Sequence, residues 1–174
     1  MALAVCLLFD RRSERAVRAL WHRLEEAGVA SLRSHTHGRH LPHLSYAVLR
    51  RWDDDAVAAA LEDLQCGAPV ELSFDGMGLF RRGRVWLVAG VGADLAARQQ
   101  RVVEAVTATG ADLHQHYRPG VWIPHCSLAP RATLAQLPDV AAAVMDVLPL
   151  PARLDRAALV NSSTGEVRPL ATLP

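Results

Sequence analysis

Lysine is missing from this 174-residue chain: all 19 basic side chains are arginine. Its absence excludes chemistry that runs through a lysine amine, including a nucleotidyl-lysine ligase, a pyridoxal Schiff base and a Walker-type phosphate loop. An excess of one charge is missing too. With 18 acidic residues against 19 basic ones the formal net charge is +1, so no global field draws the chain onto nucleic acid or an anionic membrane, and any phosphate recognition has to be local. Cysteine is scarce and scattered. Cys6, Cys66 and Cys126 are odd in number and form no CxxC, which excludes a disulfide framework or a zinc ribbon and points to a reducing cytoplasm. No long hydrophobic run is present. Met1 to Phe9 is apolar but too short to span a membrane, and it lacks the leader charge and cleavage pattern of a signal peptide, so it reads as a first strand with no membrane partner.

What is there is a chain with 51% hydrophobic and 21% charged residues, enough for one large globular domain or two small lobes, and neither disordered nor fibrous. Periodicity predicts a strand at Ala2 to Phe9 and a helix at Ser13 to Ala27 with Val17, Leu20, Trp21 and Leu24 on one face, stopped at Gly28. An irregular stretch rich in Ser, His, Gly and Arg follows. Next come a strand at His43 to Leu49, a helix at Asp53 to Gln65 with acidic residues in its first turn, and a strand at Val70 to about Phe80. The series then restarts: strand Arg84 to Val91, helix Leu95 to Thr109 ended by Gly110, strand His125 to Ala129, and a helix opened by the capping box Thr133/Gln136 and running to about Val147. Strands near Ala152 to Asn161 and Val167 to Thr172 close the chain.

A shift of 82 residues lays these elements over one another without a gap. Gly28 meets Gly110, Gly38 meets Gly120, Pro69 meets Pro151 and Gly83 meets Gly165. The same shift lays Pro42-His43-Leu44-Ser45-Tyr46-Ala47 over Pro124-His125-Cys126-Ser127-Leu128-Ala129. The expected fold is therefore α+β and bilobal. Two β-α-β-α-β units, about 1–83 and 84–174, are related by a pseudo-two-fold axis, with two mainly antiparallel sheets facing a central cleft, helices outside, and terminal strands open to exchange between lobes.

On a strand, residues i and i+2 share a face, so His43 with Ser45, and His125 with Ser127, each set an imidazole beside a hydroxyl. Of eight histidines only these two are followed at i+2 by Ser or Thr, and both follow a proline. In-line displacement at phosphorus needs a base on the attacking oxygen and an acid on the leaving oxygen, on opposite sides of the phosphorus. Two symmetry-related histidines that titrate near neutrality suit that task, with the two hydroxyls left to hold phosphoryl oxygens. Which histidine is acid and which is base stays open at this level.

The motifs Pro42-His43-Leu44-Ser45-Tyr46 and Pro124-His125-Cys126-Ser127-Leu128 resemble the paired His-x-Thr/Ser signatures of the two-histidine (2H) phosphoesterase superfamily, in particular its 2′-5′ RNA ligase-like branch. The similarity extends to Gly83-Arg84-Val85-Trp86-Leu87 and to the terminal hairpin from Ser162. It implies a bilobal fold and metal-independent hydrolysis of cyclic phosphodiesters, such as an RNA 2′,3′-cyclic phosphate opened to a 2′-phosphate, or action on 2′-5′ linkages. Without lysine, ligation would have to be the reverse of cyclic phosphate opening. The sequence carries Ser where the commoner pattern has Thr, which keeps the hydroxyl and drops the methyl that fixes its rotamer.

Arginine is the bidentate choice for phosphate. The substrate-binding candidates are Arg84 and Trp86 on one strand, with Arg39 and Arg118 in the loops leading to the two His strands; Tyr117 and Trp122 join Trp86 as candidate base stackers. The segment His35 to His40 and the pair His114/His116 lack the carboxylates or cysteines that would complete a metal site, and no motif calls for a metal or other cofactor. The expected partner is an RNA end or a small nucleotide, met by a monomer. The rival reading is a binding module that captures a nucleotide or RNA end in the same cleft without turnover.

Overall fold

The computed structural model describes residues 2–174. Its first strand, β1 (Leu3–Phe9), is buried along its whole length, as a continuous apolar run requires when both faces are covered. Helix α1 (Arg11–Glu26) starts a little before the expected Ser13, because Asp10 caps it: its carboxylate accepts from the Ser13 N–H at 2.7 Å. The expected stripe of Val17, Leu20, Trp21 and Leu24 is buried, and Gly28 ends the helix at φ 76°.

The chain continues through β2 (His43–Arg51), α2 (Asp54–Glu62), β3 (Val70–Phe80), β4 (Arg84–Ala89) and α3 (Ala93–Ala108). A two-residue strand β5 (Asp112–Leu113) and a 3₁₀ turn at Gln115–Tyr117 follow, neither expected, since both are too short to show a period. The remaining elements are β6 (His125–Ala129), a 3₁₀ turn at Leu134–Gln136, α4 (Leu137–Met145), β7 (Leu150–Asn161) and β8 (Val167–Pro169). The Thr133/Gln136 capping box is present, but it caps the 3₁₀ turn. Pro138, which has no N–H to donate, interrupts the ladder there and suits the first turn of α4.

The fold is α+β. The strands run in the order β5-β2-β1-β7-β3-β4-β6, with β8 on β7, and every pairing is antiparallel. The expectation of two separate sheets is corrected: the strands form one ladder because β7 is long enough to serve both ends. Its first residues, Leu150 to Leu154, pair with β3, and Leu154 to Asn161 pair with β1. In the β3–β7 register Glu71 faces Arg153, and the two form an ion pair at 2.7 Å.

Strand β1 divides the interior. Leu3, Val5, Leu7 and Phe9 belong to the large cluster that includes the buried faces of the helices, whereas Ala4, Cys6, Leu8 and Ala158 form a small cluster of their own. Cys6 and Leu8 lie opposite Ser45 and His43 of β2, so the small cluster underlies the first motif. A bulge between Val5 and Cys6 shifts the register beyond Ser45. It lets both Tyr46 and Ala47 join the large core without turning His43 and Ser45 inward.

Candidate active site

Both motif histidines are held the same way. His43 Nδ1 lies 2.7 Å from the Leu41 carbonyl, and His125 Nδ1 lies 2.7 Å from the Ile123 carbonyl. Each carbonyl belongs to the residue before a proline, where the backbone is restricted to extended conformations. The shared bond puts the proton on Nδ1 and leaves Nε2 free for chemistry.

The strand backbones are clamped from behind. The Trp122 indole N–H donates to the Ser45 carbonyl at 3.0 Å, and the Trp21 indole N–H donates to the Ser127 carbonyl at 3.0 Å. The buried Gln99 amide of α3 donates to the carbonyls of Tyr46 (3.1 Å) and Tyr117 (2.7 Å), tying β2 to the 3₁₀ turn. Trp122 is thus a strut with its N–H engaged, and it does not line the cavity described next.

A cavity of about 350 Å³ opens over the second motif, with His125 and Ser127 on its wall together with Arg84, Trp86, His114, His116 and Tyr117. Five sequence candidates, His125, Ser127, Arg84, Trp86 and Tyr117, are therefore brought together there. His43 and Ser45, on β2, are not among its lining residues, though the charge of His43 adds to what keeps His125 neutral and the Ser45 hydroxyl pulls the Tyr117 phenol down. The other two arginines are elsewhere. Arg39 is exposed and its guanidinium donates to the Thr164 carbonyl at 2.6 Å, while Arg118, also exposed, does not line the cavity.

Trp86 is only 8% exposed and stacks on Phe80 with ring centroids 4.5 Å apart. Both rings meet His125 edge to face, at 5.0 Å from Phe80 and 5.5 Å from Trp86. The face expected to stack a base is thus taken by Phe80, and the indole serves as a wall behind the imidazole. Gly78 makes room for it: a Cβ there would clash with the indole.

Phe80, His114, His116 and Cys6 were not read as substrate-site or catalytic residues from sequence. Phe80 ends a strand whose alternation fades near the hairpin, and the spacing of the two histidines suggests only metal ligands. Among the described residues no group of three or more His, Cys, Asp or Glu could hold a metal ion. Cys6 was legible in principle, since it shares parity with Ala4 and Leu8 on the face opposite the helix-side core.

The two imidazoles differ in charge preference. Burial works against charging His43, but the Cys6 sulfur beside it and the Leu41 carbonyl outweigh burial and raise it to about 9. At His125 burial dominates; the Ile123 carbonyl pulls the other way, the His43 charge adds to burial, and the value falls below the ordinary 6.5. Burial also pushes the Tyr117 phenol up to about 12. At neutral pH the arrangement therefore offers one imidazolium and one neutral imidazole, the division of labour that acid-base catalysis requires.

The family model of the 2′-5′ RNA ligase superfamily matches residues 10–166. No curated protein matches the chain in sequence. Among solved structures the chain is similar to Escherichia coli LigT complexed with 3′-AMP, at 16% identity and a TM-score of 0.65 over 98% of this chain and 95% of that one. It is also similar to a phosphoesterase at 16% identity and a TM-score of 0.64, over 98% of this chain and 95% of that one. Kluyveromyces marxianus Usb1 with uridine monophosphate gives 13% identity and a TM-score of 0.52, over 99% of this chain and 98% of that one. At these identities the likeness is one of fold.

Proposed function

We propose, on the premise that this chain belongs to the 2′-5′ RNA ligase superfamily of 2H phosphoesterases, that it is a metal-independent phosphodiesterase acting on RNA or nucleotide 2′,3′-cyclic phosphates or on 2′-5′ linkages. The observation that carries the reading is the opposed charge preference of two imidazoles held through equivalent Nδ1 bonds. His125, neutral, takes a proton from the attacking water as its oxygen bonds to phosphorus. His43, as imidazolium, gives a proton to the departing 3′ oxygen as the P–O bond breaks, leaving a 2′-phosphate. Ser127, on the cavity wall, holds a phosphoryl oxygen, and Ser45 does so from the β2 side. With a 5′-hydroxyl attacking in place of water, the same forward steps form its bond to phosphorus as the P–O bond to the 3′ oxygen breaks, which joins the ends through a 2′-5′ linkage, and no lysine is needed. In this reading the site lies between two units, about 1–83 and 84–174, each supplying one His-x-Ser strand.

The test is product analysis after incubating wild type, His43→Ala and His125→Ala with a nucleoside 2′,3′-cyclic phosphate and a 2′-5′ dinucleotide, in EDTA. The reading expects wild-type turnover that persists in EDTA and a fall of ~10²-fold or more in each variant. Folded variants as active as wild type would refute it. Tight nucleotide binding without turnover would instead support the capture module.

A further inference from the structure

The cavity beside His125 is short of negative charge. Arg84, His114 and His116 stand on its wall, and no carboxylate is among its lining residues. The backbone fixes His114 in place: β5 pairs with β2, and the His114 N–H donates to the Val48 carbonyl at 2.8 Å. His114 Nδ1 faces the His116 backbone N–H at 3.4 Å, which leaves the Nε2 proton as the outward donor. The two rings lie 5.1 Å apart. Nearby Asp112 gives them little relief, since its carboxylate lies 3.5 Å from Arg50 and 3.9 Å from Arg51. Burial first, and then His116, Arg50 and Arg84, hold His114 below its ordinary value, with Asp112 pulling the other way. A pocket that disfavours its own protonation in this way gains when an anion enters.

We propose that Arg84, His114 and His116 form a second anion subsite, which binds a further phosphoryl group of the substrate beyond the one that reacts at His125. The proposal rests on the phosphodiesterase reading for the position of the reacting phosphate, and it narrows the substrate to a nucleotide end that carries two phosphates. The second can be a terminal phosphate on the same nucleotide or the bridging diester to the next. The recognising chemistry is shared: a tetrahedral oxyanion accepting from a guanidinium fork and imidazole N–H groups.

Calorimetric binding of products separates this subsite from turnover. The probes are adenosine 2′-monophosphate, adenosine 2′,5′-bisphosphate, and a diadenosine bearing a bridging phosphate and a terminal 2′-phosphate. Wild type is expected to bind at least one of the two-phosphate probes about tenfold or more tightly than the monophosphate. Whichever gains more identifies the source of the second phosphate. In the double variant His114→Ala/His116→Ala the ratio should collapse toward one, and His114→Gln/His116→Gln, which keeps side-chain bulk, serves if the alanine pair does not fold. Equal binding of all three probes by wild type overturns the subsite, as does an unchanged ratio in the folded double variant. Cyclic phosphate turnover without the two-phosphate preference would sink the subsite alone, and the preference without turnover would sink the catalytic reading alone.

Discussion

Replacing Cys6 tests the acid-base assignment at its source. Its sulfur faces the β2 motif, 3.6 Å from the Ser45 hydroxyl, and with the Leu41 carbonyl it overcomes burial to raise His43 from the ordinary 6.5 to about 9. The difference is worth about 3 kcal/mol in favour of the imidazolium. A general acid works only while protonated, so this raise sets the alkaline limb of the pH profile. At pH 8 an acid titrating at about 9 is roughly nine-tenths protonated, and one titrating at 6.5 only about three per cent. With burial still acting on His43, Cys6→Val or Cys6→Ala should therefore lower kcat/KM by about 30-fold or more at pH 8 and by distinctly less at pH 6. The assay is kcat/KM against pH on a cyclic phosphate, with Cys126→Ala as the control, since that buried thiol belongs to the helix-side core. An alkaline limb that stays near 9 in a folded Cys6 variant refutes the reasoning. The same pairing bears on stability: its contribution is present in full below 6.5 and is lost as pH rises through about 9.

The acid limb belongs to His125, whose burial keeps it below 6.5, so activity should hold down to pH 6.5 and fall only at lower pH; a midpoint above 6.5 in rate measurements would contradict its role as base. Gly78→Ala should drive the Trp86 indole off its seat against Phe80 and His125, costing ~1–3 kcal/mol in denaturant unfolding and lowering turnover, with an unchanged rate counting against the wall. Gln99→Leu strands the carbonyls of Tyr46 and Tyr117 and should cost about 1–3 kcal/mol, read as a drop in Tm. The Glu71–Arg153 pair is largely exposed, at 74% and 45%, so Glu71→Ala should change stability by less than about 1 kcal/mol.

Much of this molecule was legible because its signals are local. The Val17 to Leu24 stripe, the Gly28 and Gly110 stops and the two Pro-His-x-Ser strands follow from periodicity, turn chemistry and side-chain parity. What was illegible depends on partners distant in sequence. Asp10 caps the first helix through a single side-chain bond and starts it ahead of Ser13. The single sheet arises because β7 runs past the end of β3 and continues along β1. Arg39 looked like a cleft residue from its place before His43, yet it reaches across to Thr164 instead.

The most informative departures are those that break the internal match. On the proposed duplication, the residue equivalent to Cys6 is Val88, 82 positions on. Val88 sits directly across from His125, and Cys6 lies in the corresponding strand beside His43. A valine gives an imidazole nothing but desolvation, which favours the neutral ring; the sulfur beside His43 favours the charged ring. The Nδ1 bonds are the same length in both halves, so they cannot separate the two rings. The separation comes from the side chain on the neighbouring strand, with burial acting on both. On that proposal, a backbone built twice would yield two interchangeable histidines, and a thiol in one copy where the other has an isopropyl group would assign them different work. Cys6→Val tests that step directly, because it gives the first motif the neighbour that the second already has.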